Sequence, residues 1–455
     1  MRLRAVRAWL DRCLFPDPPA AQRRGSRVEG AVLVAALLVL AIVAQMLRPG
    51  MTASLNSIWA EDGLIFLQPT LVQSFGSTIF TPYAEYLVLV PRLIAELAAP
   101  APLGLVPATM SVLSAAVVAL GGLAVWHASA AHIASPVLRG ALAALAVLVP
   151  VAGLEAVDSA SYVSWYMLFA GFWLLLWRPP TMRGAALGGL FLLATALSNP
   201  GVWLFLPLAA LRAMAIRDRR DATILGGYAI GAAIQIPVVA AHDDQAANPT
   251  WTSDIWTAYL QRVVDGGLLG EKLGGVAWEN FGWEFLTALL VVTVLALLAG
   301  LWRADVRARC VAAIAIPASL AMFAITAYQR EVGSALIWPP GDFSGVSSRY
   351  TIVPALLLIS TAFVLLDSAL RDRGRARSAA IWATAALALI AIATSFSVRE
   401  IEVRGTPPWD DALRGAAAEC RQKNLIEAPV PTSPRPFGVF VPCNRLEGFA
   451  GPPAS

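Results

Sequence analysis

Long, nearly charge-free apolar stretches recur along this chain, and they constrain its fold more than any other feature. They lie at 30–47, 104–129, 139–153, 161–177, 184–197, 201–215, 223–241, 284–302, 310–327, 350–366 and 379–397. Each reads as a membrane segment by length and hydropathy. Only 14% of the residues are charged, against about 25% in soluble domains, which excludes an ordinary cytosolic enzyme and a disordered chain. The stretches 184–197 and 201–215 are shorter than the ~20 residues of a straight crossing. They meet at Ser198-Asn199-Pro200, where proline withholds an amide donor and asparagine supports a turn. A short helical hairpin is expected there, and whether it spans fully stays open.

The charges orient the set. With the N-terminus inside, the inner segments hold 21 basic and 8 acidic residues, and the outer ones 13 and 22. That sorting, net +13 inside and −9 outside, follows the positive-inside rule. The inverted topology would put the 21 basic residues outside. An all-α, multi-pass protein of the cytoplasmic membrane follows, with eleven segments, the N-terminus inside and the C-terminus outside. A pI near 9.0 in a soluble protein would point to nucleic acid. Here the positive charge gathers on inner loops, so the expected partner is the bilayer and no nucleic acid. Residues 1–29 read as a basic cytoplasmic N-terminus, and 30–47 as a retained signal anchor without a cleavage site. Residues 30–397 form the membrane module, and 398–455 an outer tail. Cys420 and Cys443 both fall in that tail, with a β-like run at 437–441 between them. A disulfide joining them would close a loop of ~24 residues, worth about 3 kcal/mol in the chain-entropy model. Cys13 and Cys310 read as plain thiols.

The outer regions 48–103, 242–283 and 328–349 are where chemistry is expected. The first contains adjacent Glu61 and Asp62, an amphipathic stretch at 64–75, and a tyrosine-rich segment with Tyr83, Glu85 and Tyr86. The segment 86–99 is apolar but broken by Arg92 and Glu96, and reads as a helix lying at the membrane interface. A carboxylate at Glu61 or Asp62 can act as general base, hold a divalent cation such as Mg, Mn or Ca, or cap a helix N-terminus. Glu155 and Asp158 form a second acidic wall, suited to sugar hydroxyls. Arg349, followed by Tyr350, enters a membrane segment from the outside after Gly345-Val346-Ser347-Ser348. Its planar guanidinium suits phosphate oxygens, and Arg92 invites the same reading. Trp251, Trp256, Trp278 and Trp283 read as interfacial anchors or sugar-stacking platforms. His242-Asp243-Asp244 is a weak metal pattern. Gln329, Arg330 and Glu331 read as a salt-bridged loop.

These features resemble the GT-C superfamily of integral-membrane glycosyltransferases. The resemblance rests on Glu61-Asp62 in the first outer loop, on Pro82-Tyr83, Tyr86-Leu87 and Pro91-Arg92, on Leu197-Ser198-Asn199-Pro200, and on Arg349-Tyr350 followed by Val353-Pro354. It covers roughly 30–400. The tail, with Pro407-Pro408-Trp409, resembles endings of actinobacterial envelope transferases. The resemblance implies a GT-C-like bundle and a polyprenyl-phosphate sugar donor. It also implies a glycan or glycolipid acceptor and a first-loop acid as catalytic base. Carried over, Asp62 is the base with Glu61 beside it, their order leaving open which acid serves. Arg349, Tyr350 and Arg92 take the donor phosphate. Glu155, Asp158, Tyr83, Glu85 and Tyr86 take sugar or acceptor, and inversion at the anomeric carbon is expected. Competing readings are a secondary transporter or flippase of lipid-linked sugars, and a non-catalytic subunit of an envelope assembly. Against transport stands the shortage of charge inside the spans.

Overall fold

The computed structural model describes residues 2–18, 27–153, 155–241, 251–330, 336–338, 349–371, 374–398, 407–434 and 436–449. Within them the helices are α1 (Arg2–Cys13), α2 (Arg27–Leu47), α3 (Met51–Asn56), α4 (Gln68–Val72), α5 (Leu89–Ala98) and α6 (Val106–Ala128). There follow α7 (Pro136–Val147), α8 (Val163–Leu176), α9 (Met182–Ala196), α10 (Leu206–Met214), α11 (Arg219–Ala240) and α12 (Asp254–Ala258). The rest are α13 (Gly266–Leu269), α14 (Glu271–Arg303), α15 (Val306–Gln329), α16 (Arg349–Ala369), α17 (Arg375–Thr394) and α18 (Trp409–Lys423). Strands β1 (Glu427–Pro431) and β2 (Gly438–Pro442) pair antiparallel, Val430 opposite Val439. Two π-helical pieces, Asp62–Leu67 and Tyr259–Asp265, lie outside the long helices.

Seven helical stretches among the described residues are long and apolar enough to cross a membrane: Gly30–Leu47, Leu103–Ala131, α11, α14, α15, α16 and α17. They coincide with seven of the eleven expected spans. The other four are short helices: α7 has 12 residues, α8 has 14, α9 has 15 and α10 has 9. For 184–215 a short hairpin was expected, and Asn199 forms its corner by accepting from the Gly201 amide at 2.9 Å. For 139–153 and 161–177 the expectation of full spans needs correction. α7 gives way to a loop that holds Pro150 and Gly153, the latter at φ 55°. α8 stops before Arg178-Pro179-Pro180, where proline disfavours helix in the residue preceding it.

Every residue of α8 is buried, which makes it the axis of the molecule. At 1.5 Å per residue it is about 21 Å long. By contrast only 11% of the α2 window and 6% of the α14 window are buried, so these two present their sides outward. Helices α9 and α11 approach so closely that a Cβ on Gly227 would collide with the Gly189 carbonyl. Small residues permit such contact between membrane helices. Inside α14, Gly282 sits at φ 52°, ψ −134°, and breaks the helix into two arms, the second beginning where the apolar span was expected.

The segment expected at the interface, 86–99, differs. Its helix α5 buries Val90, Pro91, Arg92, Ile94, Ala95, Glu96 and Ala98, so there is no wet face. Both charges are accommodated by the first loop itself. The Arg92 guanidinium donates to the Ile65 carbonyl at 2.5 Å and lies over the Phe66 ring at 5.2 Å. Glu96 accepts from the Gly76 and Thr78 amides at 3.0 and 3.3 Å. A buried charge is tolerable on these terms only.

Cys420 and Cys443 are bonded, joining the end of α18 to the residue after β2. The tail packs on the first loop. Trp409 is 2% exposed and donates through Nε1 to the Leu103 carbonyl at 2.8 Å. The Ser433 amide donates to Ile58 O at 2.9 Å, and the Ala60 amide to Ser433 O at 2.7 Å.

Candidate active site at the acidic end of α8

Three segments meet where α8 begins: the first loop around Trp59–Leu67, the turn Ser159–Tyr162, and the start of α16. Asp62 joins the first two. Its Oδ2 accepts from the Ala160 amide at 2.8 Å, and its Oδ1 from the Ser161 amide at 2.7 Å. The Ser159 hydroxyl (3.3 Å) and the Ser161 hydroxyl also donate to Oδ1. Asp62 therefore caps the helix beginning at Ala160, where amides lack internal partners and the dipole favours a carboxylate. Burial nevertheless pushes its pKa up to about 6, against the pull of those hydrogen bonds.

Adjacent Glu61 differs. It is half-buried, and its Oε2 is enclosed without a hydrogen-bond partner among the described residues. Its charge acts on the hydroxyls of Tyr83, Tyr86 and Tyr162. An orphaned carboxylate oxygen in a mostly enclosed place is costly unless something binds it.

Arg349 opens α16. Its Nη1 donates to Glu155 Oε1 at 2.8 Å and to the Tyr162 hydroxyl at 3.2 Å, and its Nη2 to the Tyr350 hydroxyl at 3.0 Å. The guanidinium also lies 4.9 and 4.7 Å from the Tyr162 and Tyr350 ring centroids, a doubly stacked cation. Tyr350 is braced edge-on by Trp165 at 5.5 Å. The predicted sugar ligand Glu155 and the predicted phosphate ligand Arg349 are thus one ion pair. Each phenol that accepts from Arg349 keeps its own proton to donate.

Tyr83 and Tyr86 exchange both backbone hydrogen bonds, at 2.9 and 3.2 Å, around Ala84 and Glu85. Ala84 has φ 49° and Glu85 φ 74°, the left-handed pair that a type I′ turn demands. Such a conformation costs non-glycine residues of order 1–3 kcal/mol each, and it concentrates at functional sites. The turn holds two tyrosines on one side, and burial raises the pKa of both phenols. It is clamped to α11 by Gln235, fully buried, whose amide accepts from Leu87 N and donates to Leu87 O, both at 3.0 Å. Arg330 reaches the Ala84 carbonyl at 3.5 Å, and its charge acts on both tyrosines.

The structure thus gathers Glu61, Tyr83, Tyr86, Glu155, Arg349 and Tyr350 into one region. Asp158, with φ 58°, lies in the loop that leads to the cap of α8. Arg92 is engaged on the first loop's own backbone. Sequence reasoning passed over Tyr162 and Gln235. A lone glutamine within an apolar span is a readable signal; Tyr162 left none. Trp251, Trp256 and Trp283 are about half exposed, as anchors would be. Gly345–Ser348, Glu331 and His242-Asp243-Asp244 lie outside the described residues. No group of three His, Cys, Asp or Glu placed to hold a metal ion occurs among the described residues. Amide and hydroxyl donors occupy the Asp62 oxygens. Among the described residues no such donor set surrounds Glu61 and Asp62.

No protein family and no curated protein matches this sequence. Among solved structures the chain matches the Archaeoglobus fulgidus oligosaccharyltransferase, crystallised in complex with zinc and sulfate. The TM-score is 0.39 and the identity 13%, with 87% of this chain and 58% of that chain covered. This chain therefore spans little more than half the length of that protein.

Proposed function

We propose that this protein is a GT-C-type membrane glycosyltransferase that moves a sugar from a polyprenyl-phosphate donor to an envelope glycan or lipid. The reaction takes place at the outer face of the cytoplasmic membrane. The observation that carries this reading is the Glu61 carboxylate, with an enclosed oxygen that no donor among the described residues satisfies, near three tyrosine hydroxyls and the charge of Arg349. Glu61, rather than Asp62, takes the role of base, because the Asp62 oxygens are committed to the cap of α8.

In the step, Glu61 accepts the proton of an acceptor hydroxyl. The oxygen attacks the anomeric carbon as the bond from that carbon to the polyprenyl phosphate breaks, and the phosphate departs with the electron pair. Charge developing on the phosphate meets the Tyr162 and Tyr350 protons, both polarised by Arg349, and the guanidinium itself. One displacement inverts the anomeric centre. The test is transfer from a radiolabelled polyprenyl-phosphate sugar into membranes holding wild type, Glu61→Gln or Asp62→Asn. Loss of transfer in Glu61→Gln at unchanged protein level is the expected result. Equal transfer by Glu61→Gln and wild type removes Glu61 from this role.

One observation favours a second reading, a proton-coupled transporter of lipid-linked sugars. Asp265 is fully buried, neither oxygen has a hydrogen-bond partner among the described residues, and burial pushes it up to about 7. Sugar-lipid movement across vesicles that depends on a proton gradient and is lost in Asp265→Asn would select that reading.

A further inference from the structure

The tail brackets the π-helical piece Asp62–Leu67 from both sides. Before it, Ser433 makes two backbone hydrogen bonds, to Ile58 O and from Ala60 N, a parallel bridge centred on Trp59. After it, the Phe440 amide of β2 donates to Gln68 Oε1 at 3.0 Å. Between these points Gly63 lies against the hairpin. A Cβ there would stand 2.7 Å from Val439 Cγ2 and 2.8 Å from Thr432 Cγ2. Both neighbours are buried and β-branched, so neither has a free rotamer to retreat into. The hairpin in turn is held to α18 by the Cys420–Cys443 bond, and α18 to the start of α6 by Trp409. A π-helix is a strained element, frequent at functional sites, that neighbouring structure must hold in place.

From these contacts we infer that the tail is a positioning element for Glu61. Ser433 grips the residue immediately before that acid, and Val439 with Thr432 fixes the residue two beyond it. This rests on the transferase reading of Glu61. The tail touches neither reacting atom; it sets where the carboxylate stands. A π-segment released at one flank can relax toward α-helical winding, which rotates Glu61 relative to Tyr83 and Tyr162.

The test uses the full chain in nanodiscs, with Gly63→Ala and the triple variant Gly63→Ala/Thr432→Ser/Val439→Ala. Two readouts are taken: hydrogen exchange at the Ala60 amide without substrate, and kcat and donor KM. Gly63→Ala is expected to speed exchange at Ala60 and to lower kcat by roughly 10- to 100-fold, as a displaced catalytic group does, with donor KM unchanged. The triple variant restores both. Unchanged exchange at Ala60 in Gly63→Ala overturns the inference. So does faster exchange with unaltered kcat, or a triple variant as impaired as the single one. A wild-type chain that transfers no sugar from any polyprenyl-phosphate donor overturns the transferase reading instead, and the exchange data then decide alone whether the tail holds the segment.

Discussion

The two ends of α8 carry contrasting charge clusters. At its C-terminal end Arg178 pairs with Asp11 at 2.5 Å and with Asp221 at 3.7 Å, and Arg212 pairs with Asp221 at 3.1 Å. Arg217 binds the second Asp11 oxygen at 3.1 Å, and its own amide binds Asp221 Oδ2 at 3.0 Å. Every carboxylate oxygen of Asp11 and Asp221 is thus occupied. At the N-terminal end, Asp62 is equally satisfied, but Glu61 beside it retains an enclosed oxygen with no hydrogen-bond partner among the described residues. A matched network is a fastener: it locks α1, α8, α10 and α11 together, and its carboxylate oxygens have nothing left to offer a ligand. An unmatched acid has already lost solvation and can recover it from a substrate. Counting charges does not separate the two ends; counting unfilled lone pairs does.

The contrast breaks most sharply on Glu61→Gln. Transfer should fall by roughly 10²–10⁴-fold, the span of general-base contributions, while thermal unfolding in detergent stays where it was. A comparable loss of stability would make Glu61 another fastener. The opposite pattern belongs to Asp221→Asn, which leaves Arg178 and Arg212 short of a buried counter-charge. It should cost about 3–5 kcal/mol of stability, read from unfolding midpoints, with transfer per folded molecule unchanged. Next comes Asp62. Between about pH 4 and 6 the folded protein keeps a proton on Asp62 that the unfolded chain has released. The folded state binds more protons there, so stability falls as pH rises through that window and levels off above it, by up to about 3 kcal/mol. Asp62→Asn should remove that slope; a slope that survives assigns it to another group. The smallest effect is expected for Arg349→Lys, which keeps the charge at Glu155 but loses the planar stack between Tyr162 and Tyr350. A cost of about 1–2 kcal/mol, seen as weaker donor binding, would sharpen the view that phosphate recognition uses the stacked guanidinium.

Seven of the expected spans were legible because lipid excludes charge, and long apolar runs record that exclusion directly. The corner at Ser198-Asn199-Pro200 was legible for a local reason: asparagine and proline act on their own backbone. The burial of α5 was not, because Arg92 and Glu96 look like a wet face until Ile65, Gly76 and Thr78, 18–27 residues away along the chain, supply their partners. The different surroundings of Glu61 and Asp62 were hidden for the same reason. Adjacent side chains point apart, and what each meets depends on Ser159–Ser161, about a hundred residues on. The pairing of the tail with the first loop leaves no trace in residue type, since backbone amides carry it.

That pairing has a consequence for the order of events in synthesis. Ala60 emerges after the first of the seven long apolar helical stretches, and its partner Ser433 only after the other six. During that interval Glu61 stands in a loop whose brace has not yet been made. Assembly of the candidate site is therefore coupled to synthesis of the tail, and a polypeptide stalled midway through insertion carries the acid without that brace.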